Sequence, residues 1–206
     1  MNGTFFYIGL GLGLAVACGL RPFAPLLAAG ALGSSNALGV SFAHGGFHFL
    51  QQGWWLGAVA VLMVAAYVLQ LLGGLAPTMD SREGAAAPLA AAVAGLALGS
   101  GAVLFAGTLA DHGDASWPGL IGGLLAAGVA QWASGPVIAG ARKRLPDRAA
   151  REALTVYLDA AALLLAAIVA LAHPLGYVAL ALLGWFIWRR RARAGEKYAG
   201  LRILRR

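Results

Sequence analysis

The chain has 206 residues, 60% of them apolar and 11% charged, whereas soluble domains carry about 45–50% apolar and ~25% charged residues; an ordinary soluble globule is excluded. A net charge of +7, from fifteen Lys+Arg against eight Asp+Glu, would suit nucleic acid, but the basic residues gather at the ends of apolar runs and report membrane orientation instead. The single cysteine, Cys18, excludes an intrachain disulfide framework or a Cys-cluster metal site.

The first apolar run extends from about Thr4 to Leu32. No basic stretch precedes it, and Leu14-Ala15-Val16-Ala17-Cys18 only faintly resembles a lipoprotein cleavage box, so the run is expected to remain as a membrane segment. It exceeds the ~20 residues that cross a bilayer. Pro22 lacks an N–H and clashes with the preceding turn, which predicts a first helix broken there. Further runs follow at about 54–74, 88–110, 118–140 and 153–172, then a His173-Pro174 break and a sixth, short run at 175–188 that Arg189 completes by snorkelling. The expected fold is therefore an all-α polytopic integral membrane protein of about six transmembrane helices. One helical domain would cover residues 1–188, followed by a basic tail at 189–206.

Charge gives this arrangement a direction. Arg82 lies in the connector after the second run, five Lys/Arg from Arg142 to Arg151 lie in the connector after the fourth, and eight lie in the tail. With six crossings all three segments share one side, so the positive-inside rule places both termini in the cytoplasm of a bacterial inner membrane, with the tail drawn to anionic lipids. Pairs of glycines four residues apart, Gly9/Gly13, Gly95/Gly99 and Gly119/Gly123, are read as helix-packing positions; association into a homo-oligomer stays open. Residues 13–28 laid over 95–110 match at eight positions, which suggests a parallel internal repeat.

Two charges fall inside apolar runs, and there an ionisable group costs at least ~2.5–3.5 kcal/mol unless it has a partner or a wet cavity. Arg21 precedes Pro22, and a helix restarting at that proline would place its first amides beside the guanidinium, the makings of a site for a small anion. The alternative is an Arg21 that snorkels to the headgroups while Pro22 merely caps a helix. Asp159 lies within the fifth run and needs a partner or a proton; Arg21 meets it only if the first helix places the arginine near mid-membrane. Gln70, Ser100, Gln131 and Ser134 are read as hydrogen-bonding glue between helices. His44 and His48 have ligand-like spacing, but Gly45-Gly46 between them makes a helix doubtful, and no metal or other cofactor is expected. Asp111, His112 and Asp114 are read as a solvated turn.

The motifs HExxH, GxSxG and GxxxxGK[ST] are absent from the sequence, which turns the reading away from an enzyme. The charges favour a transporter or channel-like protein for a small, anionic solute, with Arg21, Pro22 and Asp159 as its substrate-binding residues. The alternative is a non-catalytic membrane scaffold or assembly partner.

The stretch Gly11-Leu12-Gly13-Leu14-Ala15-Val16-Ala17-Cys18-Gly19-Leu20-Arg21-Pro22-Phe23-Ala24-Pro25-Leu26-Leu27 resembles the opening of a bacterial membrane family known as domain of unknown function 4126, which has a similar Gly-Leu-Arg-x-Phe-x-Pro-Leu run. Pro77 through Asp80-Ser81 is similar to that family's connector after the second span, and Asp159 sits where the family carries an acidic residue. The family's charges ahead of the Asp-Ser pair are here Gly73, Gly74 and Leu75, and its basic residue before Pro88 is Ala87. The resemblance implies a polytopic membrane protein and brings no activity with it.

Overall fold

A computed structural model describes residues 3–73 and 87–202 and, within them, the side chains of 3–69, 90–147 and 149–191. Arg82, Pro77, Asp80 and Ser81, the side chain of Gln70 and the side chains of most of the basic tail lie outside the described residues. All regular structure among the described residues is helical. Helix α1 covers Thr4–Leu20, α2 Phe23–Ser34, α3 Gly53–Gly73, α4 Ala87–Asp111, α5 Ser116–Arg144, α6 Arg148–Leu171 and α7 Leu175–Arg202, with two 3-10 segments at Ala37–Gly39 and Gly45–Gln51 between α2 and α3.

Three helices, Ala90–Asp111, Ser116–Arg144 and Ala149–Leu171, are long and apolar enough to cross a membrane. A fourth crossing is formed if Gly45–Gln51 and Gly53–Leu69, bent by 57°, count as one broken span. This suits a multi-pass membrane protein, with α1 and α2 too short to cross singly.

Helix α1 forms the centre of the bundle, buried along nearly its whole length from Gly9 to Gly19 and packed on α4, α5, α6 and α7. Glycine permits this. A Cβ on Gly9 would strike the His173 carbonyl, one on Gly13 the Val169 side chain, one on Gly119 the Ala106 backbone and one on Gly123 the Gly101 carbonyl. Gly95 and Gly99 behave differently from the sequence expectation: among the described residues no atom lies within 4 Å of a Cβ at either position. They sit on the face of α4 turned away from α1 and α5, where a small residue leaves space instead of admitting a neighbour.

The break at Pro22 falls where the sequence places it, but it reverses the chain. Arg21 ends α1 in extended backbone (φ −153°, ψ 124°), its N–H still bonded to Ala17 O at 3.1 Å, and α2 begins immediately after Pro22. The start of α1 lies against the α6–α7 turn and the end of α4: Tyr177 donates to Phe5 O at 2.9 Å, and Tyr7 stacks on His112. The segment leaving α2 returns to that same turn, where Leu38 O contacts His173 Nε2 at 3.1 Å. Residues 4–34 thus form a helical hairpin open to one end of the bundle, where the sequence predicts a single crossing. Two apolar helices of 17 and 12 residues have a combined length that hydropathy reads as one long span, because hydropathy carries no direction.

Two consequences follow. Thr4 stands at the opposite end of the bundle from the basic residues Arg142–Arg144, which close α5, and from Arg189–Arg191 on α7. The expected parallel repeat also fails, because residues 13–28 include the reversal and α1 runs antiparallel to α4: Tyr7 meets His112, Gly11 meets Phe105 and Thr108, and Ala15 meets Gly101.

At the basic end α7 runs on as one helix to Arg202, across the expected start of the tail at residue 189. Arg189 covers Trp185 at 5.1 Å, Arg191 covers Trp132 at 5.0 Å, and Arg190 donates to Ala133 O at 3.2 Å. This collar has the form expected of cations that keep their charge at an interface while their stems lie on aromatic rings.

Candidate functional site

The tip of the hairpin carries the first of the two intramembrane charges to the second. Asp159 is eleven residues past the start of α6 and twelve before its end, so it lies about 17–18 Å from either terminus at 1.5 Å per residue, midway along the bundle. Asp147 sets that register by capping α6, its carboxylate accepting from Ala150 N at 2.8 Å. Arg21, placed by the extended residue between α1 and α2, brings Nε to 3.4 Å from Asp159 Oδ1, and both side chains are largely buried, at 11% and 16% exposure. Arg21 therefore does not snorkel.

A third residue completes the site. Tyr67, on α3, donates its hydroxyl to Asp159 Oδ2, so each carboxylate oxygen is engaged, one by a cation and one by a neutral donor. Tyr67 does not stand out in the sequence, because an uncharged phenol within an apolar run carries none of the desolvation cost that marks Arg21 and Asp159. The available signal is that Tyr67 and Gln70 are the polar interruptions in the second half of the run at 54–74. Pro22 contributes as a shape-giver: it opens α2 with φ −74°, and Leu26 N bonds its carbonyl at 3.4 Å. Because Pro25 also lacks an N–H, Phe23 and Ala24 supply the amides in the first turn of α2.

Chemically, the site is a compensated charge pair at mid-bundle depth with a phenol attached. Loss of either charge would leave the other uncompensated at the hairpin tip.

The other polar residues from the sequence lie elsewhere. Gln131 joins helices, donating to Ala94 O of α4 at 2.8 Å, and Ser100 of α4 shares a side-chain hydrogen bond with Cys18 of α1 besides bonding Ala97 O, whereas Ser134 bonds a carbonyl of its own helix. His44 and His48 point to different partners: His44 Nδ1 lies 3.1 Å from Asp111 Oδ1, and His48 Nδ1 3.0 Å from Gln52 Nε2. Asp111 is not the solvated turn residue expected from its acidic neighbourhood. Its side chain is 8% exposed and accepts from His44 N at 3.0 Å and from the Ser41 hydroxyl at 3.3 Å, tying the segment before α3 to the end of α4. Its neighbour His112 is stacked on Tyr7.

A family model described as domain of unknown function (DUF4126) matches residues 8–192, and the chain belongs to that family. Neither the curated proteins nor the solved structures yield a match.

Proposed function

We propose, with membership of that family as the premise, that the protein is a membrane transport protein whose substrate site is the tip of the α1–α2 hairpin. A small oxyanion would be held by the Arg21 guanidinium and the amides of Phe23 and Ala24. The observation that carries this reading is the Arg21–Asp159 pair at 3.4 Å, buried midway along the bundle. A broken helix that presents a cation and backbone amides at membrane mid-depth is the arrangement by which many transporters take charged substrates. Asp159 acts as the counter-charge that the anion displaces; on taking a proton it releases Arg21, and Tyr67 keeps the carboxyl in place through the exchange. Anion and proton movements are thereby coupled. By the positive-inside rule, the end of the bundle bearing Arg142–Arg144 and Arg189–Arg191 faces the cytoplasm, and the hairpin opens to the other side of a cytoplasmic membrane.

The experiment is ligand-induced thermal stabilisation of purified wild type and Arg21→Lys with phosphate, sulfate and carboxylates, each with the same counter-ion. An anion at a hundredfold over its Kd should stabilise the wild type by about 2.7 kcal/mol. Lysine keeps the charge but loses the planar fork, so its response should fall well below that. No stabilisation of the wild type, or equal responses, overturns the reading. The mutual neutralisation of Arg21 and Asp159 supports a second reading, a scaffold in which the pair only pins the hairpin; there anions have no effect and a partner protein co-purifies.

A further inference from the structure

The hairpin tip stops well inside the bundle. Gly19, two residues before Arg21, lies against Ala127 and Ala130 of α5, and α5 runs on for fourteen residues past Ala130, about 21 Å, to Arg144. Because α1 ends at Leu20 and α2 turns back, neither hairpin helix continues beside that stretch. Asp159 is likewise about 17 Å from the start of α6 at Arg148. An anion released from Arg21 toward the basic end has that distance to cover, and inside a protein a charge that leaves one partner is costly until another takes it.

One side chain reaches into this stretch from its far end. Three basic residues close α5, and two of them, Lys143 and Arg144, are exposed, as charges that only anchor a helix at an interface are. Arg142 is different. It is half-buried, its Nε is enclosed, and its Nη2 donates to the hydroxyl of Thr155 on α6 at 3.2 Å. Thr155 is 3% exposed, and its hydroxyl donates in turn to Arg151 O at 3.3 Å. A long side chain on a helix points back over the preceding turn, so Arg142 extends from the end of α5 toward the hairpin. Among the described residues α5 and α6 are not packed along one another, and this guanidinium bridges them.

Thr155 precedes Asp159 by four residues, so the two side chains leave the same face of α6 one turn, or about 6 Å, apart. Asp159 holds Arg21, and Thr155 receives Arg142. Two guanidinium groups from different helices are thus fixed on one strip of α6, the first at the hairpin tip and the second a turn nearer the basic end.

We propose that Arg142 and Thr155 form an inner station on the anion path: a small oxyanion that leaves Arg21 toward the basic end is taken by the Arg142 guanidinium, with the Thr155 hydroxyl turned from Arg151 O to donate to it. This rests on the reading of the hairpin tip as an oxyanion site. The planar fork of arginine suits an oxyanion at both stations, and a hydroxyl can accept from arginine in one state and donate to an anion in the other. Two stations a turn apart allow each to bind loosely enough to let go, and Asp159 pairs again with Arg21 once the anion has moved on.

The test uses the full chain, purified in detergent and in parallel reconstituted into liposomes, with phosphate and sulfate as probes. Thermal stabilisation by each anion reads the tip, and exchange of the radiolabelled anion across the liposome membrane reads the path. For an anion that stabilises the wild type, Arg142→Gln should slow exchange by about tenfold or more while its half-stabilising concentration stays within about twofold of wild type, which also shows the variant to be folded. Thr155→Val should slow exchange about threefold. Lys143→Gln, which removes the neighbouring exposed charge, should exchange as wild type does. Arg142→Lys keeps the charge without the fork and should lie between wild type and Arg142→Gln; it carries the test if the glutamine variant does not fold, and a wild-type rate in it then overturns the proposal. An Arg142→Gln protein that exchanges as fast as wild type or faster, one whose anion-induced stabilisation is lost in step with exchange, a Lys143→Gln protein slowed as much, or a wild type that binds the anion without exchanging it overturns the inner station and leaves the anion site at the tip standing. A wild type that neither anion stabilises removes the tip site, and the inner station with it.

Discussion

Helix α4 has two faces, and they behave as if they belonged to different proteins. Toward α1 and α5, Gly101, Gly119 and Gly123 bring backbones so close that an added methyl group would meet main-chain atoms. On the opposite face Gly95 and Gly99 look into a cavity. The residue type and the four-residue spacing of Gly95/Gly99 and Gly119/Gly123 are the same. What differs is whether a neighbouring helix also presents small residues at the same height: Ala126, Ala127 and Ala130 of α5 and Ala15 and Ala17 of α1 do so in the seam, whereas α3 presents Trp55, Val59 and Leu62 to the cavity. Small-residue spacing states that close approach is permitted; the partner decides whether it happens.

The largest effect should come from overfilling the seam. Gly123→Leu sets a branched side chain against the Gly101 carbonyl and the Ala102 backbone, which cannot turn aside as a side chain can. The expected outcome is loss of the cooperative thermal unfolding transition in detergent, beyond the roughly 1–3 kcal/mol that overpacking usually costs. Gly99→Leu, the same substitution on α4 two residues from Gly101 and so on the opposite face, should unfold at or above the wild-type temperature. Equal damage from both would end the distinction between the two faces.

The charge pair sits between these regions, since Arg21 leaves the seam with α1 while Tyr67 comes from α3 beside the cavity. Asp159→Asn deprives a largely buried arginine of its counter-charge. Breaking a buried pair on one side typically costs about 3–5 kcal/mol, and the residual exposure of 11% and 16% should hold this case near the lower figure. The double variant Arg21→Gln/Asp159→Asn, with no charge left to compensate, should be more stable than either single one in chemical denaturation. A double variant as unstable as the sum of the singles would show that the two residues act separately and that the tip is not held by their pairing.

How far the sequence disclosed this arrangement can be judged at the same residues. The helical class, the break at Pro22 and the anomaly of two buried charges were legible, because apolar length, a missing N–H and the cost of desolvating an ion are local properties. The reversal at the break was not, since a 29-residue apolar run reads the same whether it crosses once or folds back. That single ambiguity also fixed the expected number of crossings and, through it, the side on which residue 4 was expected. Tyr67 was hidden because an uncharged phenol in an apolar run does not announce a partner as a buried charge does, and Asp111 because it stands with His112 and Asp114 in a short polar segment that resembles a solvated connector. In each case the information lay in a partner distant in the chain, 92 residues away for Tyr67 and Asp159 and 67 for His44 and Asp111.

The smallest predicted effect concerns that last contact, which closes the loose region at its outer end. Asp111 Oδ1 holds Ser41 and His44, and the segment they anchor carries Phe42, buried against Gly107, and Phe49 and Leu50, which line the cavity. Asn at position 111 keeps an acceptor oxygen but loses the charge, so its hydrogen bonds weaken from the charge-assisted class toward the neutral one, a loss of about 1 kcal/mol. The global unfolding temperature should hardly move, because Phe42, Leu50 and the α4–α5 seam remain in place. Local opening should rise instead. Amide hydrogen exchange at residues 41–52 is expected to quicken about fivefold, the factor that 1 kcal/mol gives at 25 °C, while α4 and α5 exchange at wild-type rates. Quickening that spreads into α4 and α5 would mean that the outer segment and the seam form one cooperative unit, and the contrast between the two faces of α4 would then be one of geometry without a counterpart in stability.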